Sequence, residues 1–108
     1  MSADDILKLS SGEKLDSLVA IEVMDGKPGR YSTDIRDAWR VVKKIASLGW
    51  RVDILYSSWV VKVNALKLVS GKPYSIYAKY GSIVGETAPE AICKLALLVM
   101  KVEKEGWD

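Results

Sequence analysis

Apolar residues recur every three or four positions near the start of the chain, which is the spacing of one face of a helix. They predict a helix over residues 13–24. Ser10 and Glu13 stand three positions apart at its start, where a hydroxyl and a carboxylate satisfy backbone amides that lack a partner. Ser2 and Asp5 repeat this arrangement and predict a short helix before it. The inward positions of the longer helix are Leu15, Leu18, Val19 and Val23.

A second amphipathic stretch predicts the next helix, which Thr33 or Asp34 caps and Gly49 ends. Its apolar stripe consists of Ile35, Ala38, Trp39, Val42, Ile45 and Ala46. Its other faces carry Arg36, Arg40, Lys43 and Lys44. The spacing therefore predicts one buried face and one basic, solvated face.

From Trp50 onward apolar and polar residues alternate with a period of two, which indicates strands with one buried face. Residues 51–56 and 59–64 predict a hairpin that turns at Ser57–Ser58. A third strand is predicted over residues 74–80. The connections are too short for parallel crossovers, so the sheet is predicted to be antiparallel.

A last helix is predicted to begin at Thr87, with Pro89 in its first turn, and to run to about Glu103. Between residues 91 and 100 only Lys94 is polar, so this helix is either the central helix or an interface, and we expect self-association through it. A bilayer needs about 20 apolar residues. The apolar stretch of this helix is shorter than that, so no membrane association is expected.

This order predicts an α+β fold: a layered sandwich of N-terminal helices, a three-stranded antiparallel sheet and a long C-terminal helix (α-α-α-β-β-β-α). One core of normal size can form from 108 residues, so residues 1–108 are predicted to be one domain, with residues 1–12 as an arm and 13–108 as the core. Trp39 and Trp59 face inward in these elements and are expected in the core.

The residue types exclude the commonest catalytic chemistry. The chain has no histidine, and its one cysteine, Cys93, lies in the apolar last helix, where burial is expected. The acidic pairs Asp34/Asp37 and Glu86/Glu90 fall at helix starts, which favour carboxylates for structural reasons. We therefore expect no catalytic residue, metal site or cofactor. A hydrolase or transferase that uses carboxylates and a metal stays as a third hypothesis.

Charge is divided unevenly along the chain. Residues 1–26 carry two lysines against six acids, a net −4. Residues 27–79 carry eleven basic residues against three acids, a net +8, and residues 80–108 carry three against five, a net −2. The middle predicts either an ordinary solvated surface or a contact for an anionic partner. The candidate ligand-binding residues are Arg36, Arg40, Lys43, Lys62, Tyr77 and Lys79.

Three of these candidates are predicted to share the sheet. Tyr77 lies on the same predicted strand face as Lys79, and Lys62 joins them from the neighbouring strand. An aromatic ring among lysines can hold a nucleotide by stacking and charge together. The alternative is an ordinary exposed sheet face, or one that the second helix covers.

Several segments resemble the phage ABA sandwich domain, a family of small phage and prophage proteins. They are residues 31–35 with Ala38 and Trp39, then Gly49 and Trp50, and residues 85–93. The resemblance extends from about Ile6 to Leu98. It implies a phage or prophage origin and a layered fold, and it supplies no catalytic residues.

These observations favour a non-enzymatic phage accessory protein that binds an anionic small molecule of nucleotide type or a host protein, with counter-defence as its role by analogy with viral anti-defence proteins. The acidic N-terminus is unlike a secretory signal, so we expect the cytoplasm of the bacterial host. The alternative is nucleic-acid binding, since the order from Thr33 onward is similar to the double-stranded RNA-binding domain. Glu86 and Glu90 oppose it, because such domains place lysines at the start of the last helix to hold phosphates.

Overall fold

The computed structural model describes residues 1–107, in which three helices precede the strands. The helices are α1 (Ala3–Leu7), α2 (Glu13–Glu22), α3 (Ile35–Ser47), α4 (Ile76–Tyr80) and α5 (Ala88–Glu105). The strands are β1 (Arg51–Tyr56), β2 (Val61–Val69), β3 (Lys72–Ser75) and β4 (Ile83–Gly85). The predicted α+β fold is confirmed, with helices first, an antiparallel sheet next and a long helix last.

β2 is the central strand of the sheet. β1 pairs along one side of it, with Arg51 opposite Leu66 and Tyr56 opposite Val61. On its other side, β3 pairs with the second half of β2 and β4 with the first half. All three pairings are antiparallel, as predicted, and β4 is a strand that the sequence pattern did not predict.

The predicted third strand over residues 74–80 is wrong beyond Ser75, where the chain turns into α4. Ser75 is the N-cap of this helix, and its hydroxyl accepts a hydrogen bond from the Ala78 amide at 3.4 Å. The side-chain carbonyl of Asn64 on β2 accepts another from the Tyr77 amide at 2.9 Å. Because these partners satisfy amides of the first turn, a short helix forms where the alternation predicts a strand.

α5 is the central helix of the core and contacts α1, α2, α3, β2 and β4. Every residue from Ala88 to Val99 is buried. The sequence left open whether this helix is central or an interface, and the structure shows that it is the central helix. The predicted homo-oligomer interface on α5 is therefore wrong in its location, because this chain already covers the apolar surface. Among residues 1–107, no helix is long and apolar enough to span a bilayer.

The helix starts follow the predicted capping residues at three of four places. Ser2 and Asp5 form a capping box, Asp34 caps α3 and Thr87 caps α5. The predicted cap of α2 by Ser10 and Glu13 is wrong, because the N-cap is Gly12, which has no side chain to accept a hydrogen bond from the first turn. Ser11 beside it contacts α5 instead.

Two tryptophans predicted in the core are exposed. The buried face of α3 runs through Ala38, Val41 and Ile45, so Trp39 lies beside it and is 48% exposed. Trp59 is 88% exposed because it lies in the tight turn between β1 and β2, where the alternation of the strands has ended. The apolar stripe predicted for α3 therefore lies partly on the solvent side of the face that is actually buried.

Replacing Gly85 by alanine is expected to lower the free energy of unfolding by about 1–3 kcal/mol, the usual effect of overpacking. A Cβ at this position would lie 2.6 Å from the backbone nitrogen of Ala91, and backbone of α5 cannot rotate away. Urea unfolding measures the change. Val84→Ala on the exposed side of the same strand is the control, and an equal loss in both variants would contradict this account.

Candidate functional site

The two faces of the sheet differ in what covers them. Residues opposite each other in an antiparallel pair lie on the same face. Val61, Val63 and Ala65 are buried in the core against the helices. The alternate positions form the opposite face, which we call the open sheet face. It consists of Arg51, Asp53, Leu55, Lys62, Asn64, Leu66, Leu68, Pro73, Ser75 and Val84.

A groove of about 310 Å³ lies on the open sheet face, next to the start of α4. We call it the sheet groove. Its size is at the lower end of the range of small-molecule sites, about 300–1,000 Å³. Its wall residues are Asp53, Leu55, Lys62, Asn64, Tyr77 and Ser82. It thus brings together Lys62 and Tyr77, two of the six predicted ligand-binding residues.

Lys62 provides the positive charge of the sheet groove. Its neighbours in register are apolar, Leu55 on β1 and Val84 on β4. Within residues 1–107 no carboxylate lies within ion-pair distance of its ammonium group. Asp53 is paired with Arg51, at 3.1 Å between Nη2 and Oδ2. The ammonium is therefore available to an anion that enters the groove.

Tyr77 provides the aromatic surface of the groove, and Asn64 fixes its position. The Oδ1 atom of Asn64 accepts from the Tyr77 amide, and its Nδ2 donates to the Ser75 hydroxyl at 3.1 Å. Tyr77 remains 58% exposed. An exposed ring and an unpaired ammonium on the walls of one groove are an arrangement that accepts a base and a phosphate of one nucleotide.

Lys79 lies elsewhere, so its predicted place beside Tyr77 is wrong. The two residues are in a helix, not a strand, and helix neighbours two positions apart do not share a face. The Lys79 ammonium donates to the backbone carbonyl of Trp107 and lies 5.4 Å from the centre of its ring.

The basic residues of α3 lie in the helix layer, on the other side of the sheet from Lys62. Arg36 pairs with Asp34 at 3.8 Å, and Arg40 pairs with Asp37 at 3.3 Å. Lys43 is exposed on the same helix. The six predicted residues therefore do not form one site, and the basic middle of the chain is divided between two sides of the molecule.

A second groove, of about 280 Å³, lies where the end of α5 meets the sheet. Trp50, Tyr74 and Trp107 line it together with Lys67 and Glu103. The Glu103 carboxylate accepts from the Trp50 indole at 2.7 Å and from Lys67 at 2.8 Å. This carboxylate would repel an anion, and the lysine is already paired. We interpret the cluster as a structural contact that holds α5 against the sheet.

A third, polar cleft of about 570 Å³ lies at the start of α5. Glu90 accepts from the Ser11 hydroxyl at 2.8 Å and the Ser11 amide at 3.1 Å. Lys94 lies 3.5 Å from the other oxygen of Glu90 and from the Val84 carbonyl. Both charged side chains are about nine-tenths buried. With Glu86 also on its wall, the cleft is unsuited to a phosphate.

Two carboxylates, the buried Glu90 and the partly exposed Glu103, have lowered pKa values. Burial alone would raise the pKa of Glu90, but hydrogen bonds from Ser11 and from the Glu86 amide, together with the charge of Lys94, lower it below its ordinary value of 4.5. For Glu103 burial is likewise outweighed by hydrogen bonds from Lys67 and Trp50, so its pKa is lowered too. Both groups are thus ionised in the folded chain at neutral pH.

The stability that Glu90 contributes is expected to disappear in acid. A carboxyl whose pKa is lower in the folded state stabilises the fold above its unfolded pKa, and this contribution is lost as the pH falls through the folded pKa. Glu90→Gln should therefore destabilise the chain most at pH 7, and the difference from wild type should narrow below the ordinary value of 4.5. Urea unfolding over this range measures it. A difference that is constant with pH would contradict this account.

Cys93 is fully buried, as predicted. Burial raises the pKa of its thiol, and the nearby charges of Asp16 and Glu90 raise it further. A nucleophilic thiolate is therefore disfavoured at this position. Among residues 1–107, no three residues of the types Cys, Asp and Glu come together as a metal-binding group.

Sequence reasoning missed Asn64 and Ser82 in the groove. Asn64 is an unusual residue for the middle of a central strand, since asparagine is depleted in strands. An asparagine at such a position indicates that its side-chain amide has a hydrogen-bond partner. Ser82 carried no signal, because its role follows from the unpredicted α4 and β4.

The fold and the groove define a small α+β sandwich protein with one face of its sheet left open. Residues 17–97 match the family model described as the phage ABA sandwich domain. Because the match spans most of the chain, this chain belongs to that phage protein family, and the predicted resemblance is confirmed.

A crystal structure supports the same fold. A phage protein from Bacillus cereus ATCC 14579, determined at 2.0 Å, is similar with a TM-score of 0.53 and 26% sequence identity. The alignment covers 94% of this chain and 89% of that chain. A comparison with curated proteins gave no match.

Proposed function

We propose that this phage-family protein is a non-enzymatic binding protein that sequesters an anionic ligand of nucleotide type in the sheet groove. The observation that carries the proposal is that Lys62 and Tyr77, from different elements, line the same groove. Lys62 would hold a phosphate, and the Tyr77 ring would stack on the base. For a phage, holding a signalling nucleotide of its host in this way would be a counter-defence activity in the host cytoplasm.

The rest of the molecule agrees with binding without turnover. Cys93 is buried, and burial raises its thiol pKa, so it is a poor nucleophile. Glu90 is ionised and already accepts hydrogen bonds from Ser11 and the Glu86 amide. A general acid needs a pKa near the working pH, which a carboxyl with a lowered pKa does not have.

Titration calorimetry with adenosine monophosphate, a cyclic adenine dinucleotide and a short RNA duplex tests the proposal. We expect saturable heat at a defined stoichiometry with a nucleotide. Binding of the duplex alone, with an affinity that falls steeply with salt, would favour the nucleic-acid alternative. Flat titrations with all three probes would contradict the nucleotide proposal and leave a host protein as the partner.

The nucleic-acid alternative has less support in the geometry. The start of α5, where a double-stranded RNA-binding domain would place its lysines, carries Glu86 and the buried Glu90. Ser11, from the segment between α1 and α2, donates to Glu90 and thus lies over this helix start. A phosphate backbone would meet carboxylates there.

A further inference from the structure

Large apolar side chains are exposed on and beside the open sheet face. Leu68 is 73% exposed and Leu55 is 67% exposed. Val84 is also exposed, and Trp59 projects from the hairpin turn at the end of the same strands. Large apolar side chains that are grouped on one face, with polar residues between and around them, are typical of protein interaction sites. This face is therefore a candidate interface.

The register shows how these side chains are arranged. At one end of the face, Leu55, Lys62 and Val84 lie side by side. At the other end, Leu68 lies beside Pro73. A polar band separates the two apolar ends and contains Asp53 opposite Asn64, then Arg51 opposite Leu66 and Ser75.

We infer that the open sheet face binds a second copy of this chain, face to face. The charges on it have both signs, with Arg51 and Lys62 positive and Asp53 negative. A two-fold axis through the polar band would place an apolar end against an apolar end and the Arg51–Asp53 ion pair of one copy against that of the other. A face with one sign of charge would instead fit a partner of the opposite sign.

The exposed apolar side chains supply a large part of the area that such a dimer needs. An aromatic side chain buries about 150–250 Å² in full contact. Trp59 and Tyr77, with the two leucines and Val84, therefore offer several hundred Å² per copy. A specific interface of standard size takes about 800 Å² from each partner.

The second copy would also complete the ligand site, and this part of the inference rests on the proposed function. A small-molecule site covers about 70–90% of its ligand, whereas the sheet groove is open to solvent. A second copy on the open sheet face would close the groove over the bound nucleotide. The dimer would then hold its ligands between two sheets.

Light scattering at micromolar concentration tests the dimer with wild type, Leu68→Glu and Ile21→Glu. We expect wild type to be a dimer and Leu68→Glu to weaken it by about 100-fold or more, because the carboxylate would be buried without a partner. Ile21 is 69% exposed on α2, in the helix layer, so Ile21→Glu is the matched control and should stay dimeric. If Leu68→Glu does not fold by circular dichroism, Leu68→Gln takes its place, because it changes the same position outside the sheet groove.

A monomeric wild type, or a Leu68→Glu variant that is as dimeric as wild type, would overturn the inference. Calorimetry with adenosine monophosphate and the cyclic dinucleotide separates it from the proposed function. A dimer that binds neither probe supports the interface and contradicts the ligand. Equal affinity of wild type and monomeric Leu68→Glu for a probe supports the ligand and contradicts closure by the second copy.

Discussion

Lys62→Glu is expected to weaken nucleotide binding by about 100-fold or more. The substitution removes a charge-assisted hydrogen bond to phosphate and places a carboxylate beside Asp53 in the groove. The melting temperature should change little, because the side chain is exposed and pairs with no carboxylate within residues 1–107. Titration calorimetry with the nucleotide that binds wild type measures the loss.

Two lysines serve as matched controls for Lys62. Lys43→Glu alters the basic face of α3, and Lys79→Glu alters the contact with Trp107. Both changes have the same charge difference, and neither touches the sheet groove, so affinity should stay within about threefold of wild type. Loss of binding in Lys43→Glu with full binding in Lys62→Glu would show that the ligand occupies the helix layer.

Variants of Tyr77 test the aromatic half of the same site. Stacking of a base on an aromatic side chain contributes about 1–3 kcal/mol, so Tyr77→Ala should weaken binding by about 5- to 150-fold. Tyr77→Phe retains the ring and should retain the affinity. A loss of equal size in both variants would mean that the hydroxyl, and not the ring, contacts the ligand.

Lys94→Met is expected to lower the free energy of unfolding by about 3–5 kcal/mol, the usual effect of removing one partner of a buried ion pair. It would leave the Glu90 carboxylate in the core with hydrogen bonds from Ser11 but without its cation. Urea unfolding at pH 7 measures the change. For a chain of this size, such a loss is a large part of the total stability.

The same helix offers a control for this ion pair. Lys101 and Glu105 have the same spacing and lie 2.8 Å apart, but Glu105 is well exposed. Glu105→Gln should therefore change the stability much less than Lys94→Met does. The double variant Glu90→Gln with Lys94→Met should recover much of the loss, because neither charge remains buried alone. No recovery would mean that the aliphatic part of Lys94, not its charge, is what the core requires.

Parts of the fold could be predicted from the sequence because local signals determine them. The alternation of apolar residues at the start of β2 and the Thr87 cap of α5 are examples. The segment from Ser75 to Gly85 could not be predicted in this way. Ile76 and Tyr80 fit both a period of two and a helical spacing, and the decision between them depends on Asn64, which lies on another strand.

The candidate site was half predictable for the same reason. Lys62 follows the alternation of β2, so its exposed position could be read from the sequence. The alternation places Tyr77 and Lys79 on one face of a strand that does not form, and only Tyr77 lies at the groove. It also places Trp59 in the core, because alternation alone does not show where a strand ends and a turn begins.

A native mass spectrum of the protein purified from its bacterial host, followed by denaturation and analysis of whatever is released, tests the central claim most directly. The account predicts an added mass of nucleotide type on the wild-type chain, absent from Lys62→Glu, and released chemically intact. A wild-type chain that carries no such molecule and converts added nucleotide over many cycles would contradict it.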